Sequence, residues 1–174
     1  MVRDALAPLR SRRDSGPLPF ASYVPAMSVV AASLLAALPL IPAQGWYPDF
    51  GFVVFLAWRL LRADPWPNWW AGPLGLVNDL FTGYPLGYSV ALWCATMIAL
   101  DLIDRRTMWR DYWIEWMLAA VLIFADEALQ WRIAKALHAA PPFAAMIPPI
   151  VISILLFPFV AYLVGRLDAW RLGR

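Results

Sequence analysis

The chain has 174 residues, of which 62% are hydrophobic and 15% charged, with a formal net charge of +2. Soluble domains carry about 25% charged residues, so a water-soluble fold is excluded and one integral membrane domain is expected, with no room for a second. The single cysteine, Cys94, sits in an apolar run without neighbouring ligands, so neither an internal disulfide nor a cysteine metal site is available.

Taken in order, residues 1–20 are polar and turn-rich, with Arg3, Arg10, Arg12 and Arg13 ahead of Gly16-Pro17-Leu18-Pro19. Beside a membrane span such a cluster reads as a disordered cytoplasmic tail touching anionic lipid, not as a nucleic-acid site. The first span is expected at about 23–42, as a retained anchor and not a cleaved signal, because its apolar run is of span length. Ala32 with Ala36, and Ser33 with Ala37, form small-residue pairs suited to helix packing. The second span, 46–61, opens on the interfacial pair Trp46-Tyr47, carries Asp49 in its first turn as a cap, and closes on Arg59 and Arg62. Pro65 and Pro67 then forbid a continuous helix, while Trp66, Trp69 and Trp70 suit the headgroup region.

The third span, 69–83, is about 21 Å long at roughly 1.5 Å per residue, short of the ~30 Å hydrocarbon core. It must therefore sit inside a bundle. It also carries an acid, Asp79, on one helical stripe with Gly75 and Gly83, four residues to either side. Two positions without side chains let another backbone approach, and the carboxylate on that stripe points into the bundle rather than into lipid. Gly83-Tyr84-Pro85 is a turn signal and Leu86-Gly87 restarts an apolar run, so a very short hairpin joins the third span to the fourth, 86–103.

The fourth span ends in Asp101, Asp104, Arg105 and Arg106, a charged rim. The fifth, 112–137, holds Glu115 near one end and the adjacent acids Asp126-Glu127 near its middle. Neighbours on a helix point about 100° apart, so one of the pair is expected to face the core and the other a polar surface. A buried ion pair of Asp79 or Asp126 with Arg132 is expected, because an unpaired charge there is costly. The last span, 144–164, contains Pro148-Pro149 and Pro158 and is expected to be kinked, with residues 166–174 as a cytoplasmic tail. With six spans and an inside N-terminus, the inner segments hold every arginine except Arg132, which lies outside with Lys135, so both termini are expected to be cytoplasmic. His138 has no second ligand at metal spacing and no nucleophile beside it, and no glycine-rich phosphate loop follows a strand. No catalytic residue, metal or cofactor is expected.

The run Gly75-Leu76-Val77-Asn78-Asp79-Leu80-Phe81-Thr82-Gly83-Tyr84-Pro85-Leu86-Gly87 resembles the central motif of the MreD family of bacterial rod-shape-determining membrane proteins, a pattern close to G-L-hydrophobic-x-D-L-x-[ST]-G-x-P-L-G. Arg62, Pro65 and Trp66 extend the likeness upstream, and Asn78 is more polar than the residue expected beside the acid. The resemblance implies an all-α six-helix transmembrane bundle, similar to the substrate-binding component of energy-coupling-factor transporters, in the bacterial inner membrane. It implies a non-enzymatic scaffold of the cell-elongation machinery that binds MreC and links MreB filaments to peptidoglycan synthesis by RodA and its transpeptidase. A homo-oligomer is compatible with it. Gly75, Asp79, Gly83, Pro85 and Gly87 are then the helix-packing and partner-interface residues. The alternative is a vitamin-like small-molecule binding component of a transporter. The short outer loops, poor in polar residues, argue against that second reading.

Overall fold

The computed structural model describes residues 20–35, 48–62, 67–104, 111–138, 140 and 142–173. Six α-helices occur among them and no strand: α1 (Val24–Leu34), α2 (Phe50–Leu61), α3 (Ala71–Thr82), α4 (Tyr88–Asp104), α5 (Tyr112–Ala136) and α6 (Ile147–Arg171). The fold is all-α. The basic tail before Phe20, the outer half of the first expected span, Trp46-Tyr47, Pro65-Trp66 and the Arg105, Arg106 and Arg110 rim lie outside the described residues.

Local chemistry explains most helix ends. Asp49 caps α2 by accepting the Phe52 amide at 2.9 Å, satisfying a donor that the first turn leaves orphaned. Gly83 ends α3 in the left-handed conformation at φ 73, its N–H bonded to the Asp79 carbonyl, a conformation glycine adopts without steric penalty. Pro148 and Pro149 lie in the first turn of α6, where their missing N–H groups cost nothing, so they start the helix instead of breaking it. Pro158 lies inside it and cannot donate to the Ile154 carbonyl; the Trp116 indole of α5 supplies that bond at 3.0 Å.

α2 is the central element. It is buried on nearly every side, packing on α1, α5 and α6, while α3 packs on α1 and most extensively on α4. Phe52 and Phe55 of α2 meet Trp93 of α4, with Phe55 and Trp93 stacked at 4.6 Å, and Leu56, Met97, Ile123 and Phe157 complete the apolar middle. Trp58 and Trp93 are therefore core residues, not members of an interfacial belt.

One described helical stretch, Phe143–Arg171, is long and apolar enough to cross a membrane, with mean hydropathy 2.4 in its best window. α1 and α2 are shorter apolar helices. Large apolar side chains stand outward on the other elements as well, including Leu80, Ile98 and Val121, an exterior suited to an apolar solvent. These features support association with a membrane. One boundary needs correction: the segment expected as a tail after 165 continues α6 to Arg171. Its end is tied down, since Arg171 pairs with Asp168 at 2.6 Å, donates to the Ala21 carbonyl at 3.1 Å and lies over the Trp58 ring.

Candidate functional site

The motif folds as one unit that joins α3 to α4. Gly75 faces the start of α4, and a Cβ there would stand 2.7 Å from the Val90 nitrogen and 2.8 Å from the Ser89 carbonyl group. The close backbone approach expected of Gly75 is present, and the backbone that comes close is the chain's own. Four residues on, Asp79 turns toward the same place. Its Oδ2 accepts the Gly87 N–H at 2.7 Å and its Oδ1 accepts the Ser89 N–H at 2.8 Å. The carboxylate thus caps α4 from across the hairpin, where the orphan amides and the positive end of the helix dipole favour an anion.

Gly83 and Gly87 serve the turn and not the packing seam. Both have positive φ, 73 and 95, and a Cβ at either would meet nothing within 4 Å. Pro85 accepts the Tyr88 N–H at 3.0 Å and closes the loop. Tyr84 and Tyr88 stack edge-on over it at 5.5 Å.

Around this unit lies a buried polar cluster larger than the motif. Asn78, fully buried beside Asp79, is its hub. Its Oδ1 accepts the Ser33 hydroxyl of α1 at 2.7 Å, and its Nδ2 donates to Asp49 Oδ2 at 2.7 Å and to Ser89 Oγ at 3.2 Å. One amide therefore ties α1, α2, α3 and α4 together. Gly51 leaves the room for this, since a Cβ there would collide with Ser33 Oγ and Asn78 Oδ1. A second lobe joins α4 to α5: the Tyr88 hydroxyl lies 2.8 Å from Asp126 Oδ1 and 2.9 Å from the Asp126 carbonyl, and Gln130 donates to Asp126 Oδ2 at 3.1 Å.

Two expectations are corrected. The ion pair of Asp79 or Asp126 with Arg132 does not form: Arg132 is exposed, Asp79 takes backbone amides, and Asp126 takes Tyr88 and Gln130. Hydrogen bonds to neutral donors stabilise these acids without the entropy of holding a long cation in place. Nor do Asp126 and Glu127 divide between core and surface, since both are buried. The packed face of α5, with Ala119, Ile123 and Gln130, is wide enough to take both.

A second polar layer lies at the opposite ends of the helices and was expected only as a charged rim. Arg59, 1% exposed, reaches from α2 to Asp101 at 2.5 Å and Asp104 at 2.8 Å on α4. Asp101 also accepts from Asn68, in the 3₁₀ turn Asn68–Trp70 that precedes α3. Asp168 of α6 bridges Arg62 and Arg171. Arginines at a span end are usually read as solvated, so no local pattern marks Arg59 as pointing inward. Asn78 and Ser33 did carry a signal, as polar side chains inside apolar runs that fall at one depth when adjacent spans run antiparallel.

Among the described residues no group of three or more His, Cys, Asp or Glu is disposed to hold a metal ion. His138 is exposed beyond the end of α5. An apolar cavity of about 140 Å³ lies against the hairpin, between Tyr84, Tyr88, Gln130 and Ile133. A larger one, about 360 Å³, opens between α2, α5 and α6, near Leu61, Tyr112, Glu115 and Pro158. No family model, curated protein or solved structure matches the chain.

Proposed function

We propose that the chain is a non-enzymatic membrane scaffold of the MreD type, a six-span bundle in the bacterial inner membrane with both termini cytoplasmic. Its partner is MreC, through which it links MreB filaments to peptidoglycan synthesis by RodA and its transpeptidase. The observation that carries this reading is the Asp79 carboxylate bonded to the amides of Gly87 and Ser89. It gives the acid and the glycines of the motif one joint task, fixing the α3–α4 hairpin and presenting Pro85 and Leu86 at its exposed tip. A tip held by hydrogen bonds to a buried carboxylate is what an assembly surface needs. Gly75 and Asp79 act from inside, so the partner meets the tip and not the stripe.

The reading as a vitamin-like binding component has less support. The cavity beside the hairpin is about 140 Å³ with an apolar lining, below the roughly 300–1,000 Å³ common for small-molecule sites, and the one that reaches this range, at about 360 Å³, lies among α2, α5 and α6, away from the motif. The test is purification of the full chain from its native membrane after crosslinking from Leu86→Cys. Recovery of a single-span coiled-coil protein supports the scaffold. A stoichiometric small molecule without such a partner overturns it in favour of the transporter reading.

A further inference from the structure

The cavity of about 360 Å³ between α2, α5 and α6 contains no residue of the hairpin motif. Its floor is apolar and buried, made by Ala57 and Leu60 of α2 and Phe157 of α6. Its rim is open: Leu61, Tyr112 and Tyr162 are 42%, 55% and 62% exposed. Two alanines make the room, since Ala57 and Ala161 each present only a methyl group to it. Pro158 marks one end. The Ile154 carbonyl that Pro158 leaves without a backbone donor takes the Trp116 indole at 3.0 Å, which ties α5 to α6 just before the cavity begins.

Two side chains of opposite charge stand at the open side. Glu115, half-buried, is the acid among the described lining residues. Arg62 follows Leu61 of the rim, has a side chain 43% exposed, and reaches Asp168 of α6 at 3.3 Å. Asp168 lies two turns beyond Ala161 on the same face of α6, about 10 Å farther along. A carboxylate accepts several donors and a guanidinium offers five, so each has capacity for a ligand beside the partners it already holds. The exterior around the opening is apolar, with Trp113 beside Tyr112 and with Phe159 and Leu163 beside Tyr162, all exposed.

We propose that this cavity holds one phospholipid with an amine headgroup, of the phosphatidylethanolamine type, its acyl chain on the Ala57–Phe157 floor, its phosphate on Arg62 and its ammonium on Glu115. The proposal rests on the membrane-bundle reading and not on the scaffold role. Charge decides the headgroup. A zwitterion matches an arginine and a glutamate standing apart, whereas a purely anionic head leaves Glu115 facing like charge. Basic side chains between helices at the cytoplasmic margin are where lipid phosphates are held, and tyrosines at a rim suit the headgroup layer. Size decides the rest. The volume lies within the range of small-molecule sites, and a transmembrane helix, about 10–12 Å across with its side chains, is too wide to enter.

The full chain is to be taken from vesicles of mixed phosphatidylethanolamine and phosphatidylglycerol into mild detergent, and the lipid it retains read by native mass spectrometry. One retained lipid per chain is expected, with ethanolamine preferred over glycerol headgroups about fivefold, the scale of a single exposed ion pair. Glu115→Gln is expected to bring the two headgroups to parity. Ala161→Phe fills the cavity and is expected to lose the lipid, while Ala95→Phe, on the exposed face of α4, keeps it. In the unaltered chain, which answers whether or not the variants fold, phosphatidylethanolamine with a diazirine on its acyl chain is expected to label Leu60 and Ala161 ahead of the outward Ile98 and Val121. No retained lipid, equal retention of both headgroups by the parent, equal retention by the two phenylalanine variants, or even labelling over the exterior overturns the proposal and leaves the membrane reading intact. A water-soluble molecule or a protein side chain found in the cavity overturns phospholipid as the occupant. A chain that folds in water and enters no vesicle overturns both.

Discussion

The Asp79 carboxylate accepts the Gly87 N–H at 2.7 Å across a hairpin that separates them by 8 residues. With the Ser89 amide on its other oxygen, this acid bridges the end of one helix and the beginning of the next. A charge that composition alone would mark as a liability in an apolar segment is thereby the element that sets the register of two helices.

Asp79→Ala removes both acceptors and leaves the buried Ser89 amide and the half-buried Gly87 amide without these partners. Hydrogen bonds to charged groups contribute about 1.5–3 kcal/mol each, part of which water entering the vacated space restores. The expected loss is about 3 kcal/mol of folding stability, read as a lowered unfolding midpoint in detergent. Membrane insertion stays intact, because one acid contributes little to total hydrophobicity, and recovery of the crosslinked partner falls. Asp79→Asn keeps one acceptor oxygen and is expected to fall between the two. Equal stability of Asp79→Ala and the parent chain would remove the bridging role.

Gly75→Ala puts a methyl group against the backbone of Ser89 and Val90, which cannot move aside as a side chain can. α3 and α4 must separate, and overpacking of this kind costs about 1–3 kcal/mol. Gly72→Ala is the control, since a Cβ there meets nothing within 4 Å. It is expected to be neutral or slightly stabilising, as alanine favours a helix over glycine by about 1 kcal/mol. Thermal melts of the two single variants decide the matter, and similar behaviour would show that the close approach is unimportant.

Arg132→Ala is expected to change stability by less than about 0.5 kcal/mol, the range of surface substitutions. The residue is exposed, and the acids it was expected to neutralise are served by other donors. A loss beyond about 1 kcal/mol in the same melt would restore the ion pair that the sequence suggested.

Much of the helical framework was legible, because apolar length and turn residues are local signals. Gly83-Tyr84-Pro85 announced a turn, and the third and fifth helices start and stop within a few residues of expectation. The third helix's acid and Gly75 were also correctly aimed, since residues four apart share a face whatever the tertiary fold. Partners were not legible. Nothing local tells Asp79 that amides of Gly87 and Ser89 lie within reach and an arginine does not. Asn78 was read as an oddity beside the acid because its three partners come from three other helices. Likewise Arg171, in a segment that reads as a loose tail, is fixed by Asp168, Ala21 and Trp58, two of them more than a hundred residues away in the chain.

Arg59 offers the sharpest contrast between reading a charge and placing it. The guanidinium is buried at 1% exposure and holds Asp101 and Asp104, whose side chains are 30% and 22% exposed. Its Nε and Nη1 make no hydrogen bond, so the two carboxylates are what keep the cation inside. Breaking a buried pair costs about 3–5 kcal/mol, and the partial exposure of both acids reduces this to about 2–3 kcal/mol for Arg59→Met. Combining Arg59→Met with Asp101→Asn and Asp104→Asn removes the stranded charges along with the cation. The triple variant is therefore expected to recover more than half of the loss in a thermal melt. Destabilisation in the triple variant equal to the sum of its parts would mean that Arg59 stabilises α2 by packing its aliphatic stem, and not by holding α4.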